Sequence, residues 1–209
     1  MKNVNVCVLA MLLVLGLSLT SYGVVLTIEN PGFEDYQMAG TEPAAEPVTS
    51  TTVPGWETID GGGTGNDWLY RLPAHQATQF YGLTNTGGLG DHFSGMAQYE
   101  GQLLTLSFLA KRNVSTTDPF LKVYFSPDDG VTETLVTITL TDAFIMHSAS
   151  YVIPVVTDDT VHFRFSAAHI PTGQWYGLDD VAAEVVPEPA SLVLMGLGAM
   201  MILRRRHAL

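Results

Sequence analysis

Between residues 24 and 185 no segment sustains a 3.6-residue apolar period, which rules out an architecture built on amphipathic helices. Short alternating runs take its place. Leu104, Leu106 and Phe108 share one face of a strand over 104–110, and Leu121, Val123 and Phe125 do so over 121–125. Over 161–167, Val161, Phe163 and Phe165 point one way while His162 and Arg164 point the other. Residues 24–28, 134–140, 149–155 and 178–185 are β-branched or apolar runs of strand length. Turn chemistry separates them, most clearly in Asn30-Pro31-Gly32 and Pro127-Asp128-Asp129-Gly130. The pattern predicts an all-β antiparallel sandwich. Residues 36–53 read as a long loop without periodicity, 61–66 as a flexible turn and 86–90 as a Gly-rich loop.

Apolar segments flank this region on both sides. Lys2 precedes an uncharged run over 6–19, and Ser21-Tyr22-Gly23 offers small residues at the −3 and −1 positions of a cleavage site. Residues 1–23 therefore read as a helical signal peptide and 24–185 as the folded domain. At the other end, Pro187 and Pro189 stop any strand arriving from upstream. An uncharged run over 190–203 follows, shorter than the ~20 residues a spanning helix needs. Arg204, Arg205 and Arg206 then supply the positive stop expected on the cytoplasmic side of a membrane.

The single cysteine, Cys7, lies inside the first apolar run, so the mature domain has none and cannot use disulfides. The chain carries 21 acidic residues against nine Lys and Arg, a net charge of −12. Four of those cations, Lys2 and the three terminal arginines, fall outside 24–185, so the domain itself is more acidic still. Such a surface repels nucleic acid, which selects clustered Lys and Arg, and suits hard cations with oxygen ligands.

The order Pro187-Glu188-Pro189, short apolar segment, Arg204-Arg205-Arg206 resembles the PEP-CTERM sorting signal. That resemblance implies export, recognition by an exosortase-type membrane enzyme, and transient anchoring in the inner membrane by 186–209. Delivery to the cell envelope, outer surface or extracellular matrix would follow. Within the domain, Asn30-Pro31-Gly32-Phe33-Glu34 near the start and Gly177-Leu178-Asp179-Asp180-Val181 near the end resemble the bookends of the galactose-binding-like jelly roll. Leu106-Ser107-Phe108-Leu109-Ala110-Lys111 resembles that superfamily's strand ending in a small residue and Lys. The resemblance, which includes many carbohydrate-binding modules, implies that the first and last strands are neighbours. It also implies a structural calcium between the bookends, with Glu34, Asp179 and Asp180 as candidate ligands. Read without the resemblance, the same acids are a solvated pair and a turn residue.

Among the aromatics, Trp56 follows Pro54-Gly55 and is expected in the core. Trp68, Tyr70, Trp175 and Tyr176 lie beside Gly-rich or Pro-Thr-Gly loops, where a ring can stack on the apolar face of a sugar or simply cap the core. Nothing points to catalysis. Asp91-His92-Phe93-Ser94 holds the letters of a triad without the spatial convergence one needs, and the histidines show no HExxH spacing. Glu57, Asp60 and Asp67 could form a glycosidase pair only if brought together in a cleft. The expected function is a non-catalytic binding module for a glycan or matrix polymer. A purely structural matrix component and, more remotely, a glycan-active hydrolase are the alternatives.

Overall fold

A computed structural model describes residues 23–35, 44–47, 53–58, 68–71, 79–85, 88–113, 117–128, 131–156, 158–171 and 173–186. The signal segment and the tail beyond 186 lie outside them, as do Asp60 and Asp67. The chain divides into two units, one comprising Val25–Val185 and the other the two ends.

Among the described residues twelve strands run in chain order: β1 (Val24–Leu26), β2 (Ala44–Pro47), β3 (Glu57–Thr58), β4 (Trp68–Arg71), β5 (Phe80–Thr84) and β6 (Gly88–Ser94). They continue as β7 (Leu103–Arg112), β8 (Phe120–Ser126), β9 (Thr134–Thr139), β10 (Ile145–Val152), β11 (Thr160–Ser166) and β12 (Trp175–Val186). A 3₁₀ turn, Met96–Tyr99, lies between β6 and β7. One sheet has the order β10-β7-β12-β5-β4-β2, with β1 also paired to β12; the other has the order β3-β6-β11-β8-β9. The pairing is antiparallel in both. The all-β sandwich expected from alternation is the fold observed, and the first strand does lie beside the last.

The core follows from the period-2 pattern. Leu104, Leu106, Phe108 and Ala110 of β7 are fully buried, facing Leu121, Val123 and Phe125 of β8 and Val161, Phe163 and Phe165 of β11. Aromatic contacts run through the interior from Phe33 to Trp56 (5.2 Å between centroids), Trp56 to Phe163 (6.0 Å) and Phe108 to Phe165 (4.9 Å). Such pairs add ~0.5–1.5 kcal/mol each beyond area burial. Trp56 is core, as its context implies, and its indole Nε1 donates to the Asn30 carbonyl at 3.0 Å. Gly55 is obligatory just before it: at φ +78 its backbone disfavours a side chain, and a Cβ would meet Glu29 at 2.5 Å.

The Asn-Pro-Gly-Phe segment is held from several directions. Asn30 and Phe33 both adopt positive φ, a costly state for non-glycine residues that the surrounding bonds maintain. Asn30 Oδ1 accepts from the Asp35 N–H, and Asn30 Nδ2 donates to the Pro54 carbonyl. The Gln79 side chain donates to the Phe33 carbonyl at 2.8 Å, and the Val181 N–H donates to the Pro31 carbonyl at 3.0 Å. The last bond joins the two bookends directly.

Several local expectations change. Residues 86–90 are not simply a Gly-rich loop, because β6 begins at Gly88 and pairs with β11 through Leu89↔Phe165 and Gly90↔Arg164. The region 36–53 contains β2, which pairs with β4. Strand β10 begins at Ile145, four residues before the alternation is obvious. Asp128 and Asp158 serve their own turns, accepting from the Thr132 and Thr160 N–H groups. Asp159, at φ +60, instead reaches across the fold and accepts from the Ala97 N–H.

Candidate functional site

Strand β12 organises two neighbouring features, and a change of phase within it separates them. Tyr176 and Leu178 face the core, yet so do Val181, Ala183 and Val185. Two alternating series of opposite parity can coexist only if one extra residue is inserted between them. Asp180, at φ +47, is that residue, which makes Asp179-Asp180 a bulge in the ladder.

Before the bulge, Trp175 and Gly177 lie on the outer face of the seven-stranded sheet. Gly177 pairs with Gly82 of β5, so two residues without side chains sit side by side. Phe144, from the turn leading into β10, packs over them; a Cβ on Gly177 would lie 2.8 Å from its ring tip and 3.2 Å from Phe80. Phe80 contacts Phe144 at 5.1 Å and Trp175 at 5.8 Å between centroids. The Lys111 ammonium lies 5.3 Å from the Phe144 ring and 5.5 Å from the Trp175 ring, within cation–π range of both. Trp175 and Phe144 are half-buried, Phe80 fully buried. The result is an aromatic platform with a cation at its rim.

Of the four aromatic residues expected to meet ligand, Trp175 stands on this platform. Trp68 and Tyr70 lie in β4 at register positions opposite Gly82 and Phe80, alternating with the buried Leu69. Tyr176 is a correction. Its ring is fully buried, and its hydroxyl donates to the carbonyls of Asp118 (2.9 Å) and Phe120 (3.1 Å). Burial, with Asp118 adding to it, pushes its hydroxyl well above the ordinary tyrosine range. The reason is geometric: consecutive strand residues point to opposite faces, so Trp175 outside requires Tyr176 inside. Lys111, Phe80 and Phe144 were not singled out for this role. Only Lys111 carried a signal, as the end of the family-like strand.

At the bulge, the bookend acids converge. A Cβ built on Gly32 would lie 3.4 Å from Asp180 Oδ1, 3.7 Å from Asp179 Oδ1 and 3.8 Å from the Glu34 side chain. Asp179 is fully buried while Asp180 is exposed. Burial, together with the charges of Asp180 and Glu34, pushes the Asp179 carboxyl up to about 8, despite a stabilising bond from the Asp180 N–H at 2.9 Å. Glu34 Oε1 also accepts from the Gln79 N–H at 2.8 Å. Among the described residues, no group of three or more His, Cys, Asp or Glu forms a ready-made metal cage. Two carboxylates around a Cβ-free pocket nevertheless match a hard cation whose remaining ligands are carbonyl oxygens or water.

Residues 185–206 match the PEP-CTERM protein-sorting motif. The chain carries a PEP-CTERM sorting signal. It is therefore an exported protein sorted by way of the membrane. Among the described residues no helix is long and apolar enough to cross a membrane, and the motif itself lies almost wholly beyond them. The sandwich is similar to the Stig cyclase FisC from Fischerella sp. TAU, solved with an indole compound (TM-score 0.59, 15% identity, 79% of this chain and 99% of that one). It is equally similar to the apo form of a cyclase from Fischerella sp. (0.60, 14%, 80% and 98%). The N-terminal tandem CBM22-1–CBM22-2 domain of Paenibacillus barcinonensis Xyn10C is a weaker likeness (0.49, 12%, 81% and 47%). At these identities the likeness is one of fold. Nothing matched in a search of the curated proteins.

Proposed function

We propose that this PEP-CTERM protein displays a non-catalytic binding module for a glycan or extracellular-matrix polymer, with the ligand lying across the outer face of the seven-stranded sheet. The observation carrying this reading is the Trp175–Phe144–Phe80 platform with Lys111 at its rim, beside the paired glycines Gly82 and Gly177. A sugar ring presents an apolar face to an aromatic and hydroxyls to a cation, and the rings of Trp175 and Phe144 both keep part of their surface in solvent. Trp68 and Tyr70 extend the same reading along β4. Processing by an exosortase-type enzyme and delivery to the envelope, outer surface or matrix belong to it too. The test is a glycan array with the exported protein, with Trp175→Ala as control. Retention of a polysaccharide that the variant loses supports the reading; turnover of a bound glycan moves the protein to the hydrolases, and no retention removes the ligand.

A purely structural matrix role draws on a different observation. Strand β9, Thr-Leu-Val-Thr-Ile-Thr, ends the five-stranded sheet without charge, proline or glycine, the devices that usually keep edge strands apart. Concentration-dependent self-association blocked by Thr137→Pro, with an empty glycan array, would favour that reading.

For the bookends, we propose a structural calcium held by Asp179 or Asp180, with Glu34 and backbone carbonyls adding oxygen. The buried Asp179 and the convergence on Gly32 support it. A cation bound only by the folded state raises the melting temperature, so chelation should lower it. A melt unmoved by chelator would reduce these acids to ordinary surface and turn chemistry.

A further inference from the structure

The outer face of the five-stranded sheet holds a second constellation, independent of the aromatic platform. His92 of β6 and His162 of β11 are far apart in sequence but directly opposite in the ladder. Both stand outward because their neighbours Phe93, Val161 and Phe163 are buried in the core. Their rings lie 5.4 Å apart between centroids, inclined by 31°. His92 Nδ1 is 4.0 Å from the Glu57 carboxylate on β3 and 3.7 Å from that of Asp91. The His92 and Glu57 side chains are 43% and 64% exposed, so both are accessible to solvent.

We propose that His92 and His162 chelate a borderline first-row divalent cation of the Zn(II), Cu(II) or Ni(II) type, with Glu57 available as a third ligand and water completing the shell. Three considerations carry this. Two imidazoles bound to one tetrahedral ion through nitrogens at ~2.0–2.1 Å place their ring centres roughly 5 Å apart, close to the observed separation. Imidazole nitrogen is the commonest metal ligand in proteins, and His92 stands in solvent where an ion can reach it. Direct opposition in the ladder also holds the two Cβ atoms ~4.5–5.5 Å apart, so both imidazoles are delivered to one spot by the sheet itself. Nitrogen donors also select against calcium and magnesium, which distinguishes this site from the oxygen-rich bookends.

The test is a titration of the untagged full chain in detergent with Zn(II), monitored by calorimetry, in buffer already saturated with Ca(II). We expect one ion per chain, affinity reduced at least tenfold by His92→Ala or His162→Ala, and a smaller, several-fold loss in Glu57→Gln. His169→Gln, a histidine elsewhere in the fold, should leave the affinity unchanged. Zn(II) uptake that is equally tight in the His92→Ala/His162→Ala double variant overturns the proposal, as does no uptake under calcium. Should a variant misfold, NMR of the wild-type chain decides: Zn(II) must shift the imidazole resonances of these two histidines together, and unmoved resonances reject the site.

Discussion

The two outer faces of the sandwich are written in the same alternating code and present opposite chemistry. On the five-stranded sheet one half-buried aromatic, Tyr124, is already occupied. Arg164 lies over the Tyr124 ring at 4.3 Å, and Glu133 holds Arg164 through an oxygen at 2.8 Å. The ring and the anion hold the cation between them, so that corner is stapled shut. On the seven-stranded sheet the cation over Trp175 is a lysine, a compact charge on a flexible stem. An aromatic capped by an ion-paired arginine is architecture. One under a lysine, whose stem can swing the charge aside, can admit something else. The faces differ in charge as well: the five-stranded sheet pairs its ions at the surface, whereas β12 of the seven-stranded sheet buries Asp179 among like charges.

That last difference yields the largest expected effect. The carboxyl of Asp179 is raised to about 8 in the folded state against ~3.9 when unfolded, so the folded protein holds the extra proton between those values. The associated stability is fully present below pH ~4 and is lost as pH rises towards 8, without further change from this group above that. Melts in chelator should therefore fall across this window, and Asp179→Asn should flatten the slope. Added calcium should restore stability at the alkaline end, because a bound cation favours the ionised form. A chelated protein whose stability is level from pH 4 to 8 breaks the contrast between the faces. Next in size is ligand binding itself. Trp175→Ala should cost roughly 2 kcal/mol or more of glycan affinity, about thirtyfold, as central aromatic anchors do. Tyr124→Ala, made on the other face, should leave retention unchanged. Equal losses from both would mean that the platform is not where the ligand sits.

Much of this architecture could be read before any coordinates, and the parts that could not share a cause. Strands β7, β8 and β11 announce themselves because buried and exposed residues alternate without interruption. Strand β6 hides behind Gly88 and Gly90, residues that signal a loop in one dimension but are buried beneath neighbouring strands in three. In β12 the bulge at Asp180 breaks the phase, so the facing of Trp175 and Tyr176 cannot be extrapolated from Val181 onward. The bookends were legible as a pair because both carry turn-forming acids and small residues, and the first and last strands do pair. The platform was half legible. Trp175 stands out by residue type, but Phe80, Lys111 and Phe144 come from three other segments and meet it only through the order β10-β7-β12-β5. The His92–His162 pair has the same character, since no local spacing joins residues on β6 and β11.

A third prediction sharpens the role of the glycines. In Gly177→Val the new side chain would collide with the Phe144 ring and press on Phe80. Phe144 can swing outward because it stands at the surface, so the cost should be that of moderate overpacking, about 1–2 kcal/mol, and not unfolding. Glycan retention should fall along with it, whereas Gly101→Ala, which meets nothing within 4 Å, should leave retention alone despite the strain of its φ of +80. Retention preserved in Gly177→Val would detach the ligand from this part of the sheet.

The smallest effect belongs to the stapled face. Arg164 and Glu133 are each 30% exposed, so solvent and salt screen their attraction, and such pairs contribute typically ~0.2–1 kcal/mol. Glu133→Gln keeps the shape and removes the charge, so the melt should shift by no more than that amount and the difference should shrink in high salt. Arg164→Met goes a step further: it keeps much of the apolar stem against Tyr124 and abolishes the cation, leaving Tyr124 uncapped. If capping by a fixed arginine is what makes this ring architectural, the uncapped ring should acquire weak glycan retention that Tyr124→Ala removes in the same background. Should Arg164→Met remain as inert on the array as the parent, the difference between the faces rests on the paired glycines and the extra rings of the seven-stranded sheet, and the identity of the cation is incidental.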